Sequence, residues 1–306
     1  MNLIEFSKIF PNEEACIEHL RRKRESVRLS CKRCEGVKHY WISGIHKWEC
    51  AHCRSRTNLK AGTMMEKSKL PIMIWYLAIH LMTSVKRDFS AKEMQRQLGW
   101  KRYEPIWYMM QKIRASMGKR DSNYALKGEI EMDDAFFVVV DLERDDEEPL
   151  KRGRGSQRNA QVLVMVESQP NPKQNKEYKK KRIMGFVKML VMNELTSVNI
   201  NQETELALAT GATVLTDGYN AYSRLKEVVG KHVPMRVLPT EAHNKLPWVH
   251  TVIANAKRGL LGIHHSIGTE YLQNYLNEFC YKVNRRNFTS DLFDRMIIAG
   301  VSETWY

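Results

Sequence analysis

Residues 128–140 read GEIEMDDAFFVVV and form the most informative run of the chain for its architecture. After the turn residue Gly128 the run is strongly apolar, which predicts a buried β-strand over residues 129–140. Alternation along a strand places Glu131 and Asp133 on one face and Asp134 on the other. Carboxylates on a buried strand are costly unless they bind a cation, so the run predicts a strand that contributes to a cation site.

Three further apolar runs after this strand predict more of the same sheet. They cover residues 160–167, 184–191 and 212–215, and the last ends at Thr216-Asp217-Gly218. Asp133 and Asp217 would lie close together if their strands are neighbours, and such a pair is what a two-metal phosphoryl-transfer site requires. Acids near strand ends occur in any globular chain, so the pair by itself is a weak signal.

The charge of the chain is divided unevenly between its two parts. Residues 1–127 hold 26 Lys and Arg against 12 Asp and Glu, whereas residues 128–306 hold 23 of each class. The whole net charge of +14 therefore lies before the predicted sheet. A basic front part joined to a neutral back part predicts a nucleic-acid-binding region fused to a domain that acts on the bound nucleic acid.

The length and composition fit a globular protein of two or three domains. The chain has 306 residues, of which 43% are hydrophobic. Its longest apolar run, residues 70–82, is interrupted by His80 and is too short to span a membrane. The start of the chain lacks a signal-peptide pattern, so we expect a reducing, cytoplasmic location. Cys16 and Cys280 stand outside any metal-site spacing, and we expect both in the core.

Four cysteines in two C-x2-C pairs predict a structural zinc site. Two closely spaced pairs with a short intervening loop are typical of a zinc ribbon, in which four thiolates hold Zn²⁺ tetrahedrally. His39, His46 or His52 could replace one cysteine, although four sulfurs are the simpler set. Basic residues around the pairs favour a nucleic-acid-binding ribbon over a purely structural clip. The predicted ligands are Cys31, Cys34, Cys50 and Cys53.

A helix-turn-helix is predicted between Ser90 and Met117. Ser90-x-x-Glu93 is a capping-box pattern that opens a first helix, and Gly99 ends it. The second helix of such a motif enters the DNA major groove, and here it contains Arg102, Lys112 and Arg114. An ordinary helical hairpin with solvated charges is the alternative interpretation. The regional positive charge favours DNA binding.

A third group of polar residues lies at the start of the part of the chain that is predicted to be mainly helical, which begins near residue 251. His250 and Lys257 are seven residues apart, about two helical turns, so they share a face of a helix. A metal ligand at His250 would direct the Lys257 ammonium toward a bound phosphate. The alternative is that His250 caps the helix and Lys257 is solvated. Asn255 lies well round from both residues.

Taken together, these motifs resemble the zinc-ribbon insertion-sequence transposases of the DDE type, a prokaryotic group related to the eukaryotic Merlin transposons. The resemblance extends over nearly the whole chain. The matching motifs are Gly128-x-x-Glu131-Met132-Asp133-Asp134, Arg152-Gly153-Arg154-Gly155, Thr216-Asp217-Gly218-Tyr219-x-x-Tyr222, His250-x4-Asn255-x-Lys257, Leu260-Leu261-Gly262-x-His264-His265, and Tyr271-Leu272-Gln273-x-Tyr275-Leu276-x-Glu278-Phe279-x-Tyr281-x-x-Asn284-Arg285-Arg286.

The resemblance implies an α/β catalytic domain with an RNase H-like fold, in which a central mixed sheet is flanked by helices. It would follow an N-terminal helix with the zinc ribbon (residues 1–62) and a helix-turn-helix domain (residues 63–127). The catalytic domain would cover residues 128–306. Within it, residues 169–182 are poor in apolar side chains and are predicted to be a flexible insertion.

The resemblance also implies the catalytic residues. Asp133 and Asp217 would be the two catalytic aspartates and would bind Mg²⁺ or Mn²⁺. The third acid of the family lies seven residues before a lysine, so Lys257 marks that lysine and His250 occupies the place of the acid. Asn255 is a second candidate for the third ligand. Imidazole is softer than carboxylate and suits Mn²⁺ better than Mg²⁺.

One further position and one segment depart from the family pattern. Asp134 stands in place of a glutamate beside the first aspartate. The segment Phe137-Val138-Val139 stands where relatives usually have glycines.

DNA transposition is the function that the resemblance implies. The protein would bind double-stranded DNA at the terminal inverted repeats, cut the transposon ends and join them to target DNA. Because two ends are cut together, we expect a homodimer or a larger assembly. It would act on the prokaryotic nucleoid. A catalytically impaired regulator that only binds DNA, or a nuclease or resolvase on the same fold, is the alternative. Predicted DNA contacts beyond the helix-turn-helix are Arg152, Arg154, Arg158, Lys257, Arg285 and Arg286.

Overall fold

The computed structural model describes residues 1–27, 29–140, 156, 158–172, 181–235, 245–288 and 291–302. The chain forms two compact units. The ribbon unit comprises Met1–Arg120 together with Arg285–Tyr306, and the sheet unit comprises Asp121–Asn284. The sequence-based domains divide the chain differently at its end, because the residues after Asn284 group here with the first 120 residues rather than with the sheet.

The ribbon unit is mainly helical. Its N-terminal stretch, predicted to be helical up to residue 28, forms two helices that Asn2 and Asn12 cap with their side chains. Its elements are α1 (Leu3–Ile9), α2 (Glu13–Ser26), β1 (His39–Ile42), β2 (Lys47–Cys50), β3 (Arg56–Asn58), α3 (Ile72–Ser84), α4 (Ala91–Gln97) and α5 (Tyr103–Ser122). The last helix of the chain, Leu292–Ser302, also belongs to this unit.

An aromatic core holds the helices of the ribbon unit together. Helix α3 is buried over most of its circumference, and Trp75 and Tyr76 are completely buried. Tyr76 contacts Phe10 and Phe293 edge-on, which joins α3 to the start and to the end of the chain. His19 lies 2.9 Å from the Tyr76 hydroxyl through Nδ1 and 3.3 Å from an Asp294 carboxylate oxygen through Nε2. The hydrogen bond from His19 lowers the pKa of Asp294.

The sheet unit contains the predicted strands. Its elements are β4 (Glu129–Val138), β5 (Asn159–Pro170), β6 (Arg182–Met192), α6 (Ser197–Ala207), β7 (Thr213–Asp217), β8 (Lys231–Met235), α7 (Pro247–Ile263) and α8 (Leu272–Asn284). The final helix, Leu292–Ser302, is therefore α9. Among the helices of the described residues, none combines the length and the apolar character that crossing a bilayer would demand.

The five strands form one mixed sheet in the order β6-β5-β4-β7-β8. Strands β4, β5 and β6 are antiparallel neighbours, whereas β7 and β8 run parallel to β4. Helices cover both faces of the sheet, which confirms the predicted RNase H-like α/β fold. The most buried strands, β4 and β5, lie at its centre, as their long apolar runs predict.

Two apolar clusters pack on opposite faces of this sheet. One cluster joins the face of Ala135 and Phe137 to α7 and α8. The other joins the face of Ile130 and Met132 to α6 and to Tyr222. The predicted alternation of β4 is therefore confirmed, since odd-numbered residues face α7 and even-numbered residues face α6.

The outer edge of β6 is satisfied by side chains of α8. Gln273 accepts the N–H of Val191 and donates to the carbonyl of Met189. Asn284 accepts the N–H of Val187 and donates to the carbonyl of the same residue. Gln273 and Asn284 are eleven residues apart, about three helical turns, so one helix face meets alternate residues of the strand. These two amides leave few polar groups on an edge that could otherwise pair with another strand.

Two elements of the sheet unit have no counterpart in the sequence-based assignment, α6 and β8. Strand β8 pairs with β7 although it contains Lys231, His232 and Pro234, which are uncommon in a strand, so the sequence pattern did not predict it. The predicted flexible insertion at residues 169–182 partly belongs to strands, because Pro170 pairs with Arg182 and the N–H of Asn171 donates to Lys181. Residues 173–180 of that insertion lie outside the described residues.

Candidate active site and metal centre

The register of two neighbouring strands brings Asp133 and Asp217 together. Strand β4 pairs with β7 in parallel, with Ile130 opposite Val214 and Glu131 opposite Leu215. The pairing ends there, and Asp133 and Asp217 are each two residues beyond it on their strands. By alternation both side chains share the face of Glu131 and Leu215, and the charges of both aspartates act on the same tyrosine, Tyr222.

Helix α7 carries the third predicted residue to the same place. His250 lies in its first turn, and its Nδ1 is 3.6 Å from a carboxylate oxygen of Asp133. The His250 and Asp133 side chains are 21% and 16% exposed, so both remain accessible to a ligand. The side chain of His250 therefore faces an acid of the sheet.

The first turn of α7 is anchored by a buried carboxylate. Glu131, which is 3% exposed, accepts the N–H groups of Trp248 at 2.7 Å and Val249 at 3.0 Å. These are two of the N–H groups that a helix start leaves without an intrahelical partner. Burial raises the pKa of Glu131, while the two N–H groups act in the opposite direction. Glu131 and Asp133 lie on the same face of β4. Glu131 fixes the start of α7, and His250 of that helix contacts Asp133.

Replacing Glu131 by alanine is expected to lower the free energy of unfolding by about 2 kcal/mol, because two N–H groups lose their acceptor. Glu131→Gln keeps an acceptor oxygen and is the matched control. The wild-type carboxyl has a raised pKa, so its contribution is present at low pH and is lost as the pH rises from about 4.5 through the raised value. Urea unfolding across pH should therefore show Glu131→Gln gaining stability relative to wild type as the pH rises, and a constant difference would contradict this assignment.

Asp134 lies on the opposite face of β4 and meets a buried tyrosine. The Tyr222 hydroxyl donates to Asp134 at 3.4 Å, and Tyr222 is 1% exposed. Burial raises the pKa of Tyr222 far above its usual value, and the charges of Asp134, Asp133 and Asp217 raise it further. Tyr222 thus lies within electrostatic reach of all three acids. Its hydroxyl stays protonated and can donate its hydrogen bond to Asp134.

Lys257 lies further along the same helix face. It is seven residues beyond His250, about 10 Å along the axis, and its ammonium lies 5.6 Å from the centroid of the Phe137 ring. Phe137 belongs to the segment 137–139 whose departure from the family pattern was noted in the sequence. Asn255 is exposed and accepts a hydrogen bond from Arg258 at 2.7 Å. His250, rather than Asn255, is therefore the residue of this helix that the structure places beside Asp133.

The four predicted zinc ligands converge in the ribbon unit. Among the described residues, Cys31, Cys34, Cys50 and Cys53 are the group of His, Cys, Asp and Glu whose ligand atoms all lie within 4.8 Å of one another. The Cys31–Cys53 and Cys34–Cys50 sulfur distances are 3.5 and 3.6 Å. Sulfurs that bind Zn²⁺ at 2.3 Å in a tetrahedron are about 3.8 Å apart, so the cluster fits this ion closely.

The two cysteine pairs form equivalent turns. In each turn the N–H of the fifth residue donates to the carbonyl of the first cysteine, Glu35 to Cys31 and Arg54 to Cys50. Both of these donors have a left-handed backbone, with φ of 58°. The N–H of Arg33 points at the Cys31 sulfur and helps to lower the pKa of Cys31 to about 6, which favours the thiolate. His39, His46 and His52 are not needed to complete the ligand set.

The match to a known protein family covers nearly the same residues as the sheet unit. The family model described as ISXO2-like transposase domain matches residues 125–284, which is more than half of the sequence. The chain belongs to this family. The match covers β4 to α8 and therefore contains Asp133, Asp217 and His250. No curated protein matches the chain.

Solved structures with a similar chain are transposase complexes. The structure described as "Mos1 transposase paired-end complex with left transposon end" has a TM-score of 0.30 and 10% identity, covering 76% of this chain and 80% of that chain. The "Crystal structure of the Mos1 mariner paired end complex with Mn" has a TM-score of 0.29 and 10% identity, covering 70% and 75%.

The helix-turn-helix of this transposase has the predicted helices and turn. Ser90 caps α4 by accepting the N–H of Glu93, and Gly99 has a φ of +62° where the chain turns toward α5. Arg102 is exposed at the start of α5. Lys112 is partly buried and donates to the carbonyl of Glu66. Arg114 is 1% exposed and donates to the carbonyl of Phe89, so its guanidinium stabilises helix packing and is not available to DNA.

The other predicted DNA contacts of the transposase differ in exposure. Arg158 and Arg286 are exposed, whereas Arg285 is 5% exposed and is buried by the fold. Arg152 and Arg154 lie outside the described residues. Burial removes Arg285, like Arg114, from the set of surface cations, since a solvated phosphate cannot reach it.

Two residues that matter to the site were not assigned a role from the sequence. Glu131 and Tyr222 were part of the family motifs, but only their hydrogen bonds reveal what they do.

Cys16 and Cys280 are both buried, as predicted. Burial raises the pKa of Cys16 to about 12, so it stays a thiol in the core.

Proposed function

We propose that the protein is a DNA transposase that binds terminal inverted repeats and catalyses metal-dependent strand cleavage and strand transfer. The observation that carries this proposal is that Asp133 and Asp217 lie on neighbouring parallel strands and that His250 of α7 contacts Asp133. A regulator that had lost catalysis would have no need for this arrangement.

The donor set fits divalent cations. Carboxylate oxygens of Asp133 and Asp217 are suited to Mg²⁺ or Mn²⁺, and the imidazole of His250 favours Mn²⁺. Asp133, Asp217 and His250 would hold these ions, and in a two-metal site the bound ions would activate the attacking oxygen and stabilise the leaving oxygen.

The surrounding residues would hold this arrangement in place. Glu131 fixes the start of α7 and therefore the position of His250. Tyr222 donates to Asp134 and restrains the back of β4. Lys257 is about two turns from His250, so we assign it to a DNA phosphate next to the scissile one rather than to the reacting group.

The ribbon unit would supply DNA binding. Its zinc ribbon and its helix-turn-helix would hold the terminal repeats, with Arg102 at the head of α5 reaching the groove. Arg158 and Arg286, both exposed, would contact the DNA backbone. Phosphate contacts of this kind make affinity fall steeply with salt. Cutting two ends together implies a homodimer or a larger assembly, which would act on the prokaryotic nucleoid in the cytoplasm.

The test is strand cleavage of a duplex carrying the inverted repeat of the element that encodes the protein. We expect metal-dependent nicking at the repeat end, followed by joining of the free 3′-hydroxyl to a target duplex. Binding without cleavage under Mg²⁺ and Mn²⁺ would instead identify a DNA-binding regulator. Cleavage without joining would identify a nuclease or resolvase.

Replacing His250 by glutamate is expected to change the metal preference. A carboxylate at this position is harder than imidazole and favours Mg²⁺ over Mn²⁺. We expect the ratio of cleavage rates in Mn²⁺ and Mg²⁺ to fall by roughly tenfold relative to wild type, with DNA affinity unchanged. Asn255→Asp is the matched control on the same helix, because Asn255 is exposed and pairs with Arg258. A larger change in the control than in His250→Glu would assign the third ligand to position 255.

A further inference from the structure

A cavity of about 490 Å³ lies within the ribbon unit, between the loop that precedes α3 and the first turns of α5. Its floor is apolar, because the lining residues Leu70, Trp75 and Met109 are all buried. Two larger aromatic side chains form its walls. Trp100 is half-buried, and Tyr108 is 56% exposed, an unusual exposure for so large a ring. The cavity therefore offers flat aromatic surface to a ligand from solvent.

The rim of this cavity is cationic. Lys67, Lys69 and Arg102 line it and are exposed. Of the described residues that line it, none is acidic. Neighbouring cavities of the ribbon unit differ in this respect, since one is lined by Glu13 and Glu66 and another by Glu93. An apolar aromatic floor inside a purely cationic rim suits a ligand with a flat ring and an attached anion.

The backbone at the rim is held in an uncommon conformation. Lys67 has a φ of +61°, in the left-handed region that residues with a side chain rarely adopt. Strain of this kind persists where the surrounding structure fixes it, often at ligand sites. Here the neighbouring Ser68 accepts the indole N–H of Trp75, which ties the rim to the floor.

We propose that this cavity binds an unpaired nucleotide of DNA, with its base against Trp100 and Tyr108 and its phosphates at Lys67, Lys69 and Arg102. Stacking on aromatic side chains binds any base, because every base has a π-face, and cationic side chains hold the backbone. The volume accommodates one base but not a stacked base pair that remains in its duplex. The proposal rests on the proposed DNA-binding function and adds a ligand that the helix-turn-helix does not assign.

The position of the cavity explains where such a nucleotide would come from. Trp100 lies in the turn after α4, and Arg102 immediately precedes α5, the helix proposed to enter the major groove. A duplex in contact with the start of α5 would therefore pass close to the cavity. An unpaired nucleotide at a transposon end is the DNA feature that meets this requirement.

The experiment compares three duplexes of the same repeat sequence with the full-length protein. One is blunt, one carries a three-nucleotide single-stranded overhang, and one carries an overhang of three abasic sites with the same phosphates. We expect the base-containing overhang to bind about tenfold more tightly than the abasic overhang, because only the former can stack a base on the aromatic walls. A 2-aminopurine placed in the overhang should lose fluorescence on binding.

Variants separate stacking from general DNA binding. Tyr108→Ala should reduce the preference for bases over abasic sites to twofold or less, while blunt-duplex affinity stays within about twofold. Tyr40→Ala is the matched control, because Tyr40 is 54% exposed and lies in the ribbon away from the cavity. Equal affinity of wild type for the two overhangs, or an unchanged preference in Tyr108→Ala, overturns the proposal while leaving the proposed function intact. Failure to bind even the blunt repeat overturns the proposed function instead.

Discussion

Replacing Asp217 by asparagine is expected to abolish strand cleavage, with a loss of about a thousandfold or more, while DNA affinity stays within about twofold. The asparagine keeps the oxygen that accepts the Tyr219 N–H at 3.0 Å, so the turn after β7 is preserved. What is lost is the negative charge that lies beside Asp133. The measurement is single-turnover cleavage of a repeat duplex, together with a binding titration of the same duplex.

The matched control for this variant is Asp134→Asn. Asp134 is of the same residue type and adjoins Asp133, but its side chain faces Tyr222 on the opposite face of β4. We expect a much smaller loss of cleavage, about tenfold, because this acid acts through position rather than as a ligand. Residual cleavage by Asp217→Asn within tenfold of wild type would remove Asp217 from the catalytic set and with it the proposed two-metal site.

Replacing Cys50 by serine is expected to unfold the ribbon and to eliminate specific DNA binding. Structural Zn²⁺ contributes about 10–16 kcal/mol of apparent binding free energy to domains of this kind, and a three-sulfur site retains little of it. Cys50 is completely buried at the end of β2, so its sulfur is enclosed by the fold. Zinc content should fall from about one ion per chain to near zero, and the thermal unfolding midpoint should fall with it.

Cys16→Ala is the matched control for the zinc prediction. Cys16 is also completely buried in the ribbon unit, but its sulfur contacts Met73 and lies outside the four-cysteine cluster. This variant should keep its zinc and lose about 1 kcal/mol of stability at most, as for the loss of a small apolar contact. Chelation of the wild-type metal should reproduce the Cys50→Ser result. Equal zinc content in Cys50→Ser and wild type would mean that the cluster is not the metal site.

Local patterns sufficed wherever a short run of sequence fixes its own environment. The two C-x2-C pairs specify four sulfurs in two equivalent turns, whatever the rest of the chain does. The alternation of residues 129–138 assigns Glu131 and Asp133 to one sheet face and Asp134 to the other. The capping pattern at Ser90 likewise predicts the start of α4.

Burial of charged side chains could not be read in the same way. Arg114 and Lys112 follow Arg102 in the same predicted basic helix and look alike in the sequence, yet the first is buried and the second donates to a carbonyl. Arg285 is adjacent to the exposed Arg286 and is buried. Whether a cation is solvated depends on which other segments cover it, and those segments come from distant parts of the sequence.

Residue type and spacing are local properties, so the candidate donors of both metal sites and the strand that carries Asp133 could be predicted from the sequence. The tertiary fold was needed to show that β4 and β7 are parallel neighbours, which puts Asp133 and Asp217, 84 residues apart in the chain, on adjacent strands. It alone also decided that His250 rather than Asn255 faces Asp133. The reason is the buried Glu131, whose hydrogen bonds to the start of α7 set the position of that helix on the sheet.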